Sequence, residues 1–528
     1  MGLSVGLLFF FQNCGGGFQL KSNTLSSLSL TNAKDQAVDM EWGKIRESFF
    51  TYMREAPKPE YLYPIYDVQL STAPFLQYAI ERKNDDWLFD LMDLYSIGDQ
   101  HLKTVNSFLF YYPAHFSGSS FTAAYQEEIP LDRPFRLWVD SPKAGSSFSV
   151  GTEDVIASSQ FLYPVSVLIW EFAREKKMND PRVQDFVQKY WSVLVNDHLM
   201  RWIFNEGTLG ASGSQKTAVG VSNSAGYGVF QLRGWGCNDG DFNHAERVEH
   251  LTYRRFGTDY FKPLYGTSFS GPKYCNSVWD ADLWILAELA HALAAHQLNP
   301  TALPMSDDTF YRLKYHLQNG LKLVESRMTY KNVLDFNGNS VEAAVFDQGG
   351  FDGHPDYDYT ADLNPTFPGY TVDGGAINRA PHPASNVGWD VSHARRLVQF
   401  FWTLKMLEKP LQLNFPTDRA LKGLARQMAF GVFNGNFAEP SFTNFMDGTN
   451  GWYRVNYSGR ANFGYPPSSW LLGGRSFLGG GYGFWREEEP ALGEVLLSAV
   501  KNESFSDSWM KIRTFPSLPE EYFINRSE

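Results

Sequence analysis

Three helical segments that are apolar on every side constrain the fold of this chain more than any other feature. They lie at residues 155–173, 282–294 and 391–407. A helix that is apolar all round has no face for water, so other parts of the protein must enclose it. The sequence therefore predicts three helices at the centre of one large core.

Each apolar segment is followed, after a short connection, by a helical segment with a single apolar stripe. These stripes recur at three- and four-residue steps in residues 183–202, 310–328 and 421–432. A stripe of this kind is typical of a helix with one buried face and one wet face. Short connections predict antiparallel pairs. Further helices are expected at residues 36–54, 70–103 (a pair) and 488–501.

Alternating enclosed and half-exposed helices are what two concentric rings of helices require. The pattern resembles the (α/α) toroid of bacterial polysaccharide lyases and glycoside hydrolases, over most of residues 36–500. The resemblance implies a mainly α fold, a six-fold or incomplete (α/α)-toroid of helix hairpins whose long loops carry short β-hairpins. An α-solenoid or an irregular all-α domain is the alternative, although a solenoid would show a shorter and stricter repeat. The long loops, rich in Gly and aromatic residues, are expected at 205–279, 330–388 and 435–486.

Composition excludes several classes of protein. The 528 residues are 43% hydrophobic and 20% charged, which is enough apolar material for a large core and excludes a disordered chain. The net charge of −12 argues against a nucleic-acid partner, which would need a basic footprint. No low-complexity linker divides residues 35–528, so we expect a single toroid domain there.

The N-terminus predicts export. An apolar run over residues 1–11 is too short to span a membrane but matches the apolar part of a secretory signal. Cys14 and a Ser/Thr/Asn-rich stretch follow it, an order that resembles a bacterial lipoprotein signal. The resemblance implies a signal peptide at 1–13, lipidation of Cys14 and a flexible tether at 14–34.

The protein is then expected in the periplasm or at the outer membrane, with the lipid as its membrane contact. Gln12 and Asn13 depart from the small residues that the lipoprotein pattern has before its Cys. A buried N-terminal strand with a chance Cys is the alternative. The other two cysteines, Cys237 and Cys275, would form a disulfide in an exported chain, or else remain two buried thiols.

Three titratable residues stand at three-residue steps where the segment 391–407 begins. Asp390 can cap the helix, while His393 and Arg396 lie on the same face. Charged side chains are rarely buried without a partner or a task. We therefore expect catalytic residues here; the structural alternative is that Asp390 only caps and that Arg395 or Arg396 pairs with a loop carboxylate.

A glycoside hydrolase needs a pair of carboxyl groups on either side of the scissile bond. Asp390 with Asp356 or Asp358 is the expected pair, in an acid-rich run over residues 347–362. The acidic run and the net charge favour hydrolysis as the first hypothesis, or else a neutral or cationic glycan as the substrate.

A polysaccharide lyase needs a base and a group that neutralises the carboxylate of a uronate sugar. His393, Tyr359, Asn386 and Arg396 could fill these roles. A glycan-binding lipoprotein without catalysis is the third hypothesis.

Substrate-binding residues are expected among loop aromatics and polar neighbours of the acid-rich run, because rigid aromatic faces suit sugar rings. The candidates are His354, Asn386, Trp389, Arg395, Trp235, Tyr357, Trp452 and Tyr465. No zinc or cofactor motif is present in the sequence, so neither a metal nor a cofactor is expected. Calcium at the Asp-rich run is the alternative, and the start of a calcium loop is imitated at residues 335–339. Glu153, Asp154, Asp280 and Asp282 precede or begin buried helices and are interpreted as caps.

Overall fold

The computed structural model describes most of the chain beyond residue 31, with several gaps. The described residues are 32–55, 63–112, 116–117, 120–121, 125–139, 151, 153, 155–204, 278, 280–347, 362–363, 388–455 and 464–524. They are mostly helical, which confirms the predicted mainly α fold.

The helices lie at α1 Ala33–Glu55, α2 Tyr63–Glu81, α3 Asp85–Ser96, α4 Val155–Arg174, α5 Pro181–Ser192, α6 Met200–Phe204, α7 Asp280–Leu298, α8 Asp307–Ser326, α9 Val391–Ala394, α10 Arg396–Leu411, α11 Thr417–Arg426, α12 Arg475–Gly479, α13 Ala491–Ala499, α14 Ser508–Thr514 and α15 Glu521–Ile524. π-helical turns at Val193–Leu199 and Gln427–Val432 extend α5 and α11. The strands lie at β1 Lys103–Tyr112, β2 Phe116–Ser117, β3 Ser120–Phe121, β4 Tyr125–Leu137, β5 Met328–Leu334 and β6 Ser340–Phe346.

Two of the predicted enclosed helices, α4 and α7, are buried along almost their whole length. They pack against each other, α2 packs on α4, and α10 packs on α7. The third differs from the prediction because Arg395 divides it into α9 and α10, and α10 exposes Lys405 and Lys409 near its end. Its first half is therefore enclosed and its second half reaches solvent.

The helices that follow α4, α7 and α10 have the expected single buried stripe. In α8, for example, Leu313, Leu317, Leu321 and Val324 are buried. Helix α8 lies so close to α7 that a Cβ added at Gly320 would overlap Leu286.

Three of the central helices begin at the same end of the core. The guanidinium Nη2 of Arg396 lies 2.8 Å from the Tyr66 hydroxyl and 3.5 Å from a carboxylate oxygen of Asp280. These residues stand in or beside the first turns of α10, α2 and α7. Polar groups of three helices consequently meet at one end of an otherwise apolar interior.

The C-terminal segment packs against the first helix. Lys34 Nζ donates to the carbonyl of Leu518 at 2.7 Å, and the rings of Phe49 and Trp509 lie 4.1 Å apart. Helix α14 contacts both α1 and α2. The two ends of the described chain therefore share one core.

The long strands β1 and β4 form an antiparallel hairpin that the sequence analysis did not predict. Its register shifts between Val105 and Ser107, and β4 carries two prolines, which two-stranded ribbons tolerate because each strand is an edge. The β5–β6 hairpin lies at the start of the predicted 330–388 loop. Short β-hairpins were expected in these long loops.

The sequence that imitates a calcium loop is the turn of that hairpin. The Asp335 carboxylate accepts hydrogen bonds from the backbone N–H groups of Asn337 and Asn339, both at 2.8 Å. These bonds explain the Asp–Phe–Asn–Gly–Asn sequence as turn chemistry. Helix α4 alone in the described part is long and apolar enough to span a bilayer, and it is buried within the protein.

Candidate functional site

Asp390 caps the short helix α9 and is wholly buried. Its Oδ1 accepts from the backbone N–H groups of Ser392 and His393, both at 3.1 Å, and from the Ser392 hydroxyl at 2.5 Å. Asp390 also forms a β-bridge with Phe445, so the 442–455 segment runs directly beside the start of the helix. The cap and the bridge together fix the position of the carboxylate.

His393 forms a dyad with this carboxylate. Its Nδ1 lies 2.8 Å from Oδ2 and 3.0 Å from Oδ1 of Asp390. With Nδ1–H donating to the carboxylate, the neutral ring carries its lone pair on Nε2. The His393 side chain is 15% exposed whereas that of Asp390 is 0% exposed. Of the two residues, only His393 has surface available to a ligand.

The pKa values of Asp390 and His393 are both lowered from their ordinary values. Burial by itself would raise the pKa of Asp390, but the neighbouring His393 and the hydrogen bonds from His393 and Ser392 outweigh it and hold that pKa well below the usual range. Burial lowers the pKa of His393, Asp390 opposes this, and Arg396 and Arg454 lower it further. At neutral pH the pair is therefore a carboxylate and a neutral imidazole.

Arg454 and Tyr453 come to the dyad from the neighbouring segment. Nη2 of Arg454 lies 3.5 Å from Nε2 of His393, and the Tyr453 hydroxyl lies 3.4 Å from Nδ1. Arg454 has a φ of 56°, a left-handed conformation that a residue with a side chain adopts at a cost. The strained backbone holds a guanidinium next to the lone pair of the imidazole.

Arg396 lies behind the dyad and is fully buried. Besides Tyr66 and Asp280, its Nη1 approaches the carbonyl oxygens of Ser392 and His393 at 3.4 and 3.5 Å. These contacts connect the first turn of α10 with α9, which places Arg396 as a support for the dyad.

Arg395 belongs to a second cluster of charged side chains, with Asp67 and Arg513. Burial, and then Arg396 and Arg513, lower its pKa well below the ordinary value. Burial also raises the pKa of Asp67 to about 6, against a 3.0 Å hydrogen bond from the Tyr52 hydroxyl and the charge of Arg395. This end of the core is therefore locally rich in arginine within an acidic protein.

The described aromatic candidates are less exposed than their predicted role requires. Trp389 is 1% exposed, packs 6.1 Å from Phe346, and belongs to the core. Trp452 is also buried. Tyr465 is half-buried and stacks on Tyr453 at 6.2 Å. Trp389 is therefore covered by the packing of the core, and Trp452 is buried outside that core cluster.

Residues that the sequence analysis did not single out as site residues complete the arrangement: Tyr66, Tyr453 and Arg454. For Arg454 a signal existed, since a basic residue directly follows two aromatic residues in a turn-rich segment. For Tyr66 there was none, because its contact with Arg396 joins residues 330 positions apart.

The remaining candidates lie outside the described residues: Cys14, Trp235, Cys237, Cys275, His354, Asp356, Tyr357, Asp358, Tyr359 and Asn386. The Asp-rich run 347–362 is described only at Asp347, which pairs with Arg327 at 3.8 Å, and at Asp362. Over the described ranges no three His, Cys, Asp or Glu side chains gather as a metal site would need.

In the described site, Nε2 of His393 carries the lone pair that can accept a proton, and the cationic guanidinium of buried Arg454 lies 3.5 Å from it. Asp390 and Arg396 hold these groups in place from the buried side. Comparison of the chain with protein-family models, curated proteins and solved structures finds no match.

Proposed function

We propose that this protein is an exported, lipid-anchored enzyme that cleaves an acidic polysaccharide by β-elimination, with His393 as the base. The observation that carries the proposal is the dyad, in which buried Asp390 lies 2.8 Å from Nδ1 of His393 and Arg454 lies 3.5 Å from Nε2. A neutral imidazole oriented by a carboxylate suits general-base catalysis.

The reaction follows from the chemistry of a uronate sugar. Nε2 of His393 takes the proton from the carbon next to the carboxylate, the electron pair forms a carbon–carbon double bond, and the bond to the leaving glycosidic oxygen breaks. The leaving oxygen takes up a proton from a donor at the site or from water. Arg454 would bind the sugar carboxylate and stabilise the charge that develops on it.

Asp390 acts through His393 in this proposal. Its carboxylate is wholly buried, is engaged by Ser392 and His393, and has a pKa held well below the usual range. A glycosidase acid must be protonated and must reach the glycosidic oxygen. Asp390 meets neither requirement, and the partly exposed His393 is the member of the dyad that can exchange a proton with the substrate, as a base.

The toroid remains the proposed architecture. Its support is the meeting of α2, α7 and α10 at one end through Tyr66, Asp280 and Arg396, together with the packing of the C-terminal segment on α1. In such a ring the starts of the inner helices form the mouth, where the dyad lies.

Hydrolysis is the second candidate. The acid-rich run 347–362 favours it, because Asp356 or Asp358 could supply a carboxyl group near the dyad. A binding protein without catalysis is the third, and it predicts glycan retention without new chain ends.

Export and lipidation are proposed from the N-terminal sequence, with Cys14 as the lipid site and Cys237–Cys275 as a disulfide. Metabolic labelling with a radioactive fatty acid tests lipidation, and a Cys14→Ser variant should lose the label. Thiol titration of the denatured protein, with and without prior reduction, tests the disulfide.

Incubation with a panel of purified neutral and uronate-containing polysaccharides tests the activity. Elimination creates a new reducing end and an unsaturated product that absorbs ultraviolet light in equal amounts. Hydrolysis creates the reducing end alone, and binding creates neither. Equal yields on a uronate polymer support the proposal, while reducing ends without absorbance would replace it with hydrolysis.

A further inference from the structure

Three polar side chains form a stripe along α7, one of the most deeply enclosed helices. Trp284, Glu288 and His291 stand four and three residues apart, so they project from one side of the helix. Each is at most 1% exposed. The stripe lies in a core whose other α7 side chains are mainly leucine, isoleucine and alanine.

Within the described residues, part of every member of this stripe lacks a hydrogen-bond partner. These atoms are the indole Nε1 of Trp284, both carboxyl oxygens of Glu288 and Nδ1 of His291. The large majority of buried polar atoms in proteins have a partner, either protein or ordered water. Four such atoms on one stripe of one helix point to polar partners along that stripe.

The surroundings of the stripe define the site. The ring of Tyr163 on α4 lies 4.8 Å from Trp284, and the ring of Trp170 lies 5.3 Å from His291. On α10, the Thr403 hydroxyl lies 3.1 Å from Nε2 of His291. The stripe therefore faces the junction of α4, α7 and α10 in the middle of the protein.

We propose that Trp284, Glu288 and His291 line an internal site that binds ordered water, in which Glu288 is held as a neutral carboxylic acid. Water can accept from the Trp284 indole, exchange hydrogen bonds with the Glu288 carboxyl group and bond to Nδ1 of His291. An ionised carboxylate in this place would need a cation or several donors. This site is independent of the proposed cleavage reaction.

The titratable groups around Glu288 do not supply a counter-charge. The buried titratable groups on α7 and on the elements that pack on it are Asp280, Asp282 and His291 on α7, Tyr163 and Glu171 on α4, His316 on α8, Arg396 on α10, and Asp197 and His198 in the adjoining π-helical turn. The cation among them, Arg396, contacts Asp280 and Tyr66, and burial alone shifts the pKa of Glu288. Burial is what raises the pKa of Glu288 well above its ordinary value, and burial likewise lowers that of His291 to about 3. Both groups are then uncharged at neutral pH.

A consequence for stability follows. A carboxyl group whose pKa is raised in the folded state binds its proton more tightly there than in the unfolded chain. The raised pKa of Glu288 has no effect on stability at pH values below 4.5, the ordinary pKa of a glutamate. As the pH rises above that value, it lowers the free energy of unfolding progressively. Glu288 should therefore contribute a loss of stability as the pH rises from weakly acidic values, whereas His291, whose pKa is lowered, contributes a gain up to its ordinary pKa of 6.5.

Glu288→Gln and Glu288→Leu test the proposal, with exposed Glu494→Gln on α13 as the matched control. Urea unfolding of each variant is followed from pH 5 to pH 9. We expect Glu288→Gln to remove part of the decline in stability with pH, because the amide does not ionise, while the control keeps the wild-type decline. Unchanged pH dependence in Glu288→Gln would overturn the neutral acid.

The leucine variant tests the water. A hydrated site should make Glu288→Leu less stable than Glu288→Gln, because leucine leaves the water, Trp284 and His291 without bonds. A dry site should make the leucine variant at least as stable as the glutamine variant, and that result would overturn the proposal. Should either variant fail to fold, a high-resolution crystal structure of the unmodified protein decides: density for water between Glu288 and Trp284 supports the site, and an empty or closed space contradicts it.

Discussion

Nδ1 of His393 lies 2.8 Å from Oδ2 of Asp390, at the short helix α9 that directly precedes α10. The carboxylate is fully buried, while the imidazole retains some exposure. Asp390 is thus the fixed member of the dyad, and His393 is the member that a substrate can reach.

Asp390→Asn should preserve the fold and lose activity. Asparagine caps a helix as well as aspartate does, but the neutral amide no longer fixes the tautomer of His393, a change that costs about 10⁴-fold in kcat in a comparable dyad. Initial rates on the cleaved polysaccharide, together with circular dichroism, measure both effects. The control is Asp180→Asn, since Asp180 also caps a helix, through Arg182 N at 2.8 Å, and lies far along the chain from the dyad. Undiminished cleavage by Asp390→Asn would remove the dyad from the mechanism.

The pH profile of kcat/KM should fall on its acidic side below pH 6.5. Burial lowers the pKa of His393 from 6.5, so the base stays neutral until the pH falls below that value. Because Arg454 also lowers this pKa, Arg454→Gln should move the acidic limb to higher pH and raise KM for an acidic glycan. Exposed Arg419→Gln, which loses a surface pair with Glu342 and a contact with the Tyr330 ring, should leave the profile unchanged. An acidic limb that stays in place in Arg454→Gln would contradict the assigned contact.

The ion pair between Arg201 and Glu153 should be important for folding. Arg201 Nη1 donates to a Glu153 oxygen at 2.8 Å, and both side chains are at most 3% exposed. Removing one member of a buried pair costs about 3–5 kcal/mol, so Arg201→Met should lower the free energy of unfolding by that order. The double variant Glu153→Gln with Arg201→Met should recover part of the loss, because no charge is left unpaired. Equal losses in the single and double variants would contradict this reading.

Glycine at 320 should be required by the close packing of α8 on α7. An added Cβ would overlap Leu286, so Gly320→Ala should destabilise the protein by about 1–3 kcal/mol. Gly493→Ala in α13 is the matched control, since an added Cβ there meets nothing within 4 Å. The control should be neutral or stabilising by up to about 1 kcal/mol, because alanine favours a helix. Thermal or urea unfolding measures the difference, and a stabilised Gly320→Ala would show that the helices can move apart.

The sequence predicted most of the central helices because their periodicity depends on local composition. An all-apolar segment such as 155–173 has few other ways to fold, and α4 and α7 lie where expected. The division at Arg395 was not predicted, and it is slight, because Arg395 keeps a helical conformation with φ −56° and ψ −19°.

The candidate site was predicted only in part. Asp390, His393 and Arg396 are close in sequence, and a three-residue spacing places them together on a helix. Arg454 and Tyr66 reach them through tertiary contacts that no local pattern encodes. The role of Asp390 depends on burial as well, and burial beneath Ser392 and His393 is a property of the folded site.

The central claim is that His393 removes a proton from a uronate sugar. Its most direct test is the ultraviolet absorbance released from a uronate polysaccharide by the wild-type protein and by His393→Gln, each normalised to folded protein. The account predicts a steady rise in absorbance with the wild-type protein and at least a hundredfold slower rise with His393→Gln, a loss of the order that a missing general base causes. Equal rates from the two proteins, or new reducing ends from the wild type without any absorbance, would contradict it.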